Sequence, residues 1–454
     1  MQNDRMTNQT RRRLGTVVAL VLAATFMLAG HGIAAPKPNH GGQDIVATTQ
    51  NYLTTFYPLW FTHAQFQIAP KNELVGPEKI SPLYQAVVAI NDDTLYASSP
   101  IDVIGCTVGV FVPETVAGYS VLLLDTYGNV YPSPIPSKAA GVALPNTTYV
   151  LAGPNTHSCG PNPITAELPL DFMMLIFRVD RFSNGIDMTA EATAFRTALA
   201  INGVETKVKP VEEFAIPFKM IADTMIRTDP IAFLRQIQVA VADTSSTPPL
   251  SPQERRLSDD FNALFGDGSN LGPQVRAQFA VAARSAHYAI ISNYLNHTDA
   301  NNWIHFTNIG EWKSAVLDRA SITEFCQFCN TIETAAYYHV FVDGTGAPLD
   351  GSAPNGYVLT FPPGGTPAAS RFWSLTGYTP DAIQPIPNAI DKYVVASYTP
   401  GLVANADGSV SIYISQTQPA GVAQANWLPV SDRAFNVMLR VYGVVPKSDV
   451  ARNK

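Results

Sequence analysis

Two short tracts gather groups that can move protons. Asn91-Asp92-Asp93-Thr94-Leu95-Tyr96 follows a run with strand character, and Leu124-Asp125-Thr126-Tyr127-Gly128-Asn129 ends another. A carboxylate whose pKa is lifted by burial can act as a general acid or base beside a phenol. Asp93, Tyr96, Asp125 and Tyr127 are therefore the candidate catalytic residues, expected to converge on one pocket with at least one carboxylate raised in pKa. The competing reading is that Asn and Asp side chains close turns there while the tyrosines fill a core. Further along, Arg371-Phe372-Trp373-Ser374-Leu375-Thr376-Gly377-Tyr378 and Asn426-Trp427-Leu428-Pro429 set tryptophan beside guanidinium and amide groups. Such platforms suit sugar-like ligands, although aromatics in alternating strands also serve as core. The candidate ligand-binding residues are Asn91, Trp373, Tyr378, Asn426, Trp427 and Arg440.

Other reaction signatures are missing. The chain has no G-x-S-x-G, no H-E-x-x-H, no G-x-x-x-x-G-K-[ST], and no G-x-G-x-x-G set between strand and helix. Histidines 40, 63, 157, 287, 297, 305 and 339 form no H-x-H pair, so no metal site and no cofactor are expected. The glycine-rich tract from Gly266 to Gly272 reads as a helix separator, and Asn405-Ala406-Asp407-Gly408 as a hairpin turn.

The elements that must position these residues alternate in texture. Asp44 to Gln67 predicts a leading helix interrupted or kinked near Pro58. Between Ala86 and Asp180, β-branched and aromatic runs (Val87–Ile90, Val108–Val112, Tyr119–Leu124, Thr148–Leu151, Phe172–Val179) alternate with turn residues, which predicts a β-sandwich. Helices are predicted over Met188–Ala200, Val211–Ile226, Pro230–Val241, Pro252–Phe265, Pro273–Asn296 and Lys313–Cys326. Asp229 and Ser251, each followed by Pro, serve as caps. From Ala335 strands return at Tyr337–Val342, Gly356–Phe361, Arg371–Tyr378, Lys392–Tyr398, Ser409–Ile414 and Ala434–Tyr442, the spacing of a second sandwich or jelly roll.

Composition bounds the partners. The 454 residues are 14% charged, against about 25% usually, and carry a net charge of −7 with no basic stripe after Arg13; nucleic acid is not an expected partner. Arg11-Arg12-Arg13, the apolar stretch Leu14–Ala29 and the small residues up to Ala35 have the layout of a secretory signal peptide, with cleavage expected after Ala34. Its apolar part falls short of the roughly 20 residues a membrane span needs, and His31 stands where a lipoprotein would need Cys. The Sec and twin-arginine routes both remain open. The mature chain is then a soluble secreted or periplasmic protein of net charge −10, without membrane contact. Cys106, Cys159, Cys326 and Cys329 allow three pairings; a local Cys326–Cys329 bridge would leave Cys106 with Cys159.

Several of these segments carry a family resemblance. Asn91-Asp92-Asp93-Thr94-Leu95-Tyr96-Ala97-Ser98 resembles the N-[RK]-D-T-L-Y-S signature of the domain of unknown function 1254. Tyr119 to Tyr127 and Leu151-Ala152-Gly153-Pro154 resemble its later blocks. Asp343 to Gly351, Phe372 to Tyr378, Asn405 to Tyr413, Asn426 to Pro429 and Leu439 to Tyr442 are similar to the domain of unknown function 1214. The resemblance implies an α+β architecture after the signal peptide read over 1–34: a β-sandwich domain with its leading helix over 44–185, a helical segment over 186–334 and a β jelly roll over 335–446. It implies no mechanism. Asp92 replaces the signature's basic residue, and Asp391-Lys392-Tyr393 replaces an Arg-Tyr block, so a charge that could hold an anionic ligand is altered. Two functions compete: an exported protein that binds a small organic or sugar-like ligand, acts in the envelope or self-associates, and an exported hydrolase or lyase using the four acid–base candidates.

Overall fold

A computed structural model describes residues 44–298 and 301–445; the expected signal peptide lies outside them. The fold is mixed α+β. Seven α-helices are present among the described residues: α1 Ile45–Phe66, α2 Thr189–Ala198, α3 Phe218–Thr228, α4 Pro230–Ala242, α5 Pro252–Phe265, α6 Pro273–Leu295 and α7 Val316–Cys326. None is long and apolar enough to cross a membrane.

Helix α1 starts where the Asp44 carboxylate accepts the Val46 amide at 2.8 Å, and it runs unbroken through Pro58. The expected interruption does not occur because Tyr57, Leu59, Trp60 and Phe61 are all buried in a core shared with α3, α4, α5 and α6. Packing of that extent outweighs a cost of about 3 kcal/mol for an interior proline. Local signals win elsewhere. The stretch expected as one helix from 211 to 226 is a 3-10 turn, Val211–Phe214, followed by α3, because Pro217 disfavours a helical conformation for Ile216.

In the N-terminal half a six-stranded sheet runs Lys207–Lys209, Val75–Pro77, Thr94–Asp102, Phe172–Asp180, Tyr119–Leu124 and Val130–Tyr131. A five-stranded sheet built around Val108–Val112 and Thr147–Ala152 shares its core. Side chains alternate across the larger sheet. Leu95, Ala97, Leu175 and Phe177 enter the shared core, whereas Tyr96, Leu122 and Ile176 face the other way. In the C-terminal half a four-stranded sheet runs Ala335–Val340, Asn436–Val444, Ala369–Tyr378 and Val394–Ala396, beside a three-stranded one of Tyr357–Phe361, Val410–Ser415 and Trp427–Pro429. Trp373, Leu375, Leu439 and Val441 fill the space between these two, which leaves Phe372, Tyr378, Met438 and Tyr442 on the opposite face. Val87–Ile90 is not a strand, and the Lys392–Tyr398 strand shortens to Val394–Ala396. Disulfides join Cys106 to Cys159 and Cys326 to Cys329, with Cα separations of 5.5 and 5.6 Å.

Gly76 shows how tightly the six-stranded sheet is drawn in. A Cβ there would stand 1.9 Å from the Tyr96 carbonyl oxygen, whereas one at Gly344 would meet nothing within 4 Å. Gly76→Ala should therefore cost about 1–3 kcal/mol in urea unfolding, and Gly344→Ala close to nothing. Equal effects would show that the sheet yields freely.

Candidate functional site

The outward faces of the two large sheets meet, and the segment from 81 to 93 runs between them. Asp93 is fully buried there. Its Oδ2 accepts the hydroxyls of Ser374 at 2.7 Å and Tyr442 at 3.2 Å, and its Oδ1 accepts that of Tyr398. All three donors belong to the C-terminal half. Burial, together with the Asp93 carboxylate, holds the phenols of Tyr398 and Tyr442 well above their ordinary pKa, so they remain protonated donors. Arg371 adds an ion pair to Asp180, with Nε at 2.9 Å from Oδ2. Tyr378 braces the linking segment by donating its hydroxyl to the Ile90 carbonyl at 2.7 Å.

Next to this junction lies a cavity of about 180 Å³. Most of its wall is apolar, from Val87, Ile176, Phe214, Phe218 and Phe328, and the exposed Ile68 and Glu213 mark the side open to solvent. Its polar groups include Asn91, Tyr96, Tyr337 and two arginines, with Glu73, Lys209 and Glu213 also in the lining. Arg178 is 7% exposed and Arg440 1%. Arg178 donates to the Asn330 side chain at 2.8 Å and the Phe328 carbonyl at 2.6 Å. Arg440 donates to the Ala89 carbonyl and, at 3.4 Å, to the Thr376 hydroxyl. Neither guanidinium forms an ion pair among the described residues. Although burial opposes its charge, Tyr378, Tyr442 and Asp93 around Arg440 raise its pKa above the ordinary value, so it stays a cation. Two non-glycine residues of the wall, Ala89 (φ 53°) and Phe328 (φ 61°), hold left-handed backbone, a conformation that concentrates at functional sites.

The acid–base candidates do not converge. Thr94 pairs with Asp180 and Leu124 with Met174 on the same strand, six positions apart, and Asp93 and Asp125 lie one residue further out at opposite ends, which separates them by more than about 20 Å. Asp125 closes its own turn: it accepts the amides of Tyr127 (2.9 Å) and Asn129 (3.0 Å), the Asn129 side chain (2.8 Å) and the Tyr131 hydroxyl (3.1 Å). Burial raises its pKa and those bonds partly offset the rise. Tyr127 sits in the helical core, its ring 4.4 Å from the Arg319 guanidinium. Tyr96 does reach the cavity, where it accepts from the Asn91 amide.

Of the expected ligand-binding residues, Asn91 and Arg440 line the cavity and Tyr378 stands beneath Arg440, ring centre 5.5 Å from the guanidinium. Trp373 is core, packed on Phe361 at 5.2 Å. Asn426 ties the Val403 and Ser411 carbonyls together, and Trp427 donates to the Ser415 carbonyl at 3.0 Å. Asp92, which stands where the signature has a basic residue, pairs with Arg181 at 2.6 Å; burial pushes its carboxyl up to about 6. Arg178 was not foreseen, although one cation inside the apolar run Phe172–Val179 is the same signal that marks Arg440.

A second cluster lies among the helices. Asp223 on α3, His287 on α6 and Glu324 on α7 each bring one potential metal-ligand atom within 4.8 Å of the others. Lys219 stands 2.7 Å from Asp223 Oδ2 and 2.7 Å from Glu324 Oε1, and Tyr57 donates to Glu324 Oε2. The four charged residues span positions 219 to 324 with no local spacing beyond Lys219 and Asp223, so no motif announces them.

Two family profiles match parts of the chain. Residues 71–203 match the family profile described as protein of unknown function DUF1254, and residues 334–447 that of DUF1214. The crystal structure of the VPA0106 protein from Vibrio parahaemolyticus is similar at a TM-score of 0.55 and 19% identity, covering 89% of this chain and 96% of its own. An uncharacterised protein from Burkholderia cenocepacia aligns at a TM-score of 0.43 and 15% identity, covering 95% and 93%. No curated protein matches the chain.

Proposed function

We propose, from the premise that this chain joins a DUF1254 domain to a DUF1214 domain, that it is an exported protein that binds a small organic anion in the cavity between them. One observation carries the reading: two buried guanidiniums without an ion-pair partner among the described residues line a mostly apolar cavity. Burial opposes a guanidinium charge, and a bound carboxylate would add a direct ion-pair partner in the bidentate geometry that guanidinium favours. Asn91 and Tyr96 would take further hydrogen bonds, and the apolar wall would take the ligand's body. The volume lies below the roughly 300–1,000 Å³ of drug-sized sites, which favours a small acid. No tryptophan lines the cavity, which argues against a sugar platform.

Binding is favoured over acid–base catalysis because Asp93 and Asp125 are far apart, so a hydrolase or lyase would lack its paired carboxylates. Two disulfides accord with an oxidising compartment, and with it the export reading. The shared cores between paired sheets support a sandwich in the N-terminal half and a jelly-roll arrangement in the C-terminal half.

Thermal-shift measurements on the mature protein with matched carboxylic acids, primary amides and alcohols test the proposal. An acid at 100 times its Kd should stabilise by about 2.7 kcal/mol while its amide and alcohol do not. Equal responses from all three, or none from any acid, would overturn it.

A further inference from the structure

We propose that Asp223, His287 and Glu324 form a binding site for one divalent first-row transition-metal ion, represented by Zn²⁺, at the junction of α3, α6 and α7. This departs from the expectation drawn from the histidine spacing, which looked for imidazole pairs rather than for a single imidazole beside two carboxylates.

The geometry supplies three observations. Each of the three residues keeps one buried polar atom without a hydrogen-bond partner: Asp223 Oδ1, His287 Nε2 and Glu324 Oε1. A fully buried carboxylate oxygen and an imidazole nitrogen left in that state are costly unless a ligand takes them. The contacts between them are those of an ion-pair network: His287 Nε2 stands 3.3 Å from Asp223 Oδ1 and 3.7 Å from Glu324 Oε2, and Lys219 Nζ stands 2.7 Å from Glu324 Oε1. Ligand atoms on a tetrahedral Zn²⁺ at 2.0–2.2 Å are about 3.4 Å apart, so the cluster needs only side-chain adjustment to close on an ion.

The remaining oxygens are held as outer-shell partners hold metal ligands elsewhere. Lys219 donates to Asp223 Oδ2 at 2.7 Å, and Tyr57 donates to Glu324 Oε2, so each carboxylate is oriented with one oxygen left over. One imidazole with two carboxylates suits Zn²⁺, Mn²⁺ or Co²⁺ better than Mg²⁺ or Ca²⁺, which seek oxygen alone. The Asp223 side chain is 24% exposed and gives the ion a way in. Lys219 is the resident competitor: it keeps Asp223 and must give up its approach to Glu324 when an ion enters.

Zn²⁺ and Co²⁺ titrations of the mature protein, freed of metal with a chelator and then dialysed, decide the matter. The expected result is one equivalent of Zn²⁺ by elemental analysis and visible Co²⁺ absorption, neither appearing with Mg²⁺ in excess. His287→Gln should weaken binding at least 10-fold, and Tyr57→Phe by roughly 10- to 100-fold. Lys219→Met should tighten it if folded. Less than a tenth of an equivalent in the folded wild-type protein, with no Co²⁺ absorption, would overturn the site and leave a closed ion network. Neither outcome bears on the anion cavity, whose lining contains none of these residues.

Discussion

Asp93→Ala is expected to lose about 4 kcal/mol of unfolding free energy. The substitution removes one carboxylate and strands three hydroxyls, those of Ser374, Tyr398 and Tyr442, at a buried junction. Each hydrogen bond to a charged group contributes about 1.5–3 kcal/mol, and a buried donor left without a partner costs about 1–3. Tyr398→Phe and Tyr442→Phe should each cost about 1–2 kcal/mol, because one donor leaves while the carboxylate keeps the other two. Urea unfolding of the three variants gives the ranking. Asp93→Ala no worse than either tyrosine variant would mean that the junction carries no charge-assisted bonding.

Arg440→Met is expected to weaken binding of the small acid by about 10- to 100-fold, as the loss of one charge-assisted contact of about 1.5–3 kcal/mol requires. Arg178→Met should act in the same direction. Both keep most of the side-chain length and remove the charge. The control is the uncharged amide of the same ligand, whose weak binding should hardly change. Because Arg440 also donates to the Ala89 carbonyl, its variant will lose stability as well, so affinity is best measured by calorimetry on protein shown to be folded. Unchanged affinity for the acid in both variants would remove the arginines from recognition.

How much of this was legible follows from how local each cause is. The starts of α4 and α5 could be read because the cap is a neighbour of the helix it caps: Asp229 accepts the Ala232 amide, and Ser251 with Glu254 forms a capping box. The β and α textures were readable for the same reason, since side-chain alternation is set residue by residue. Val87–Ile90 was misread because its backbone follows partners far along the chain. Ala89 donates its amide to the Ile383 carbonyl and accepts from Arg440. At the site, Asn91 and Arg440 were found because they lie in the segments that carry the family resemblance, Asn91 to Ser98 and Leu439 to Tyr442. Ser374, Tyr398 and Tyr442 had no local sign of the carboxylate they share. Asp125 misled in the opposite sense: a buried aspartate at a strand end looks the same in sequence whether it serves a pocket or its own turn.

The strand Asn436–Val444 lies between Ala335–Val340 and Ala369–Tyr378, so the last of the described strands is an interior one. It delivers Arg440 to Ala89 and Tyr442 to Asp93 across 351 and 349 positions. While the chain is being made, the N-terminal sheets and the helices can close on contacts of shorter range, but the wall of the cavity that carries Arg440 does not yet exist. The arginine wall of the cavity is therefore completed only when the last of the described strands has been made. A product that terminates ahead of residue 436 loses Arg440 from the cavity wall, a partner of the Asp93 carboxylate and the middle of a sheet in one event.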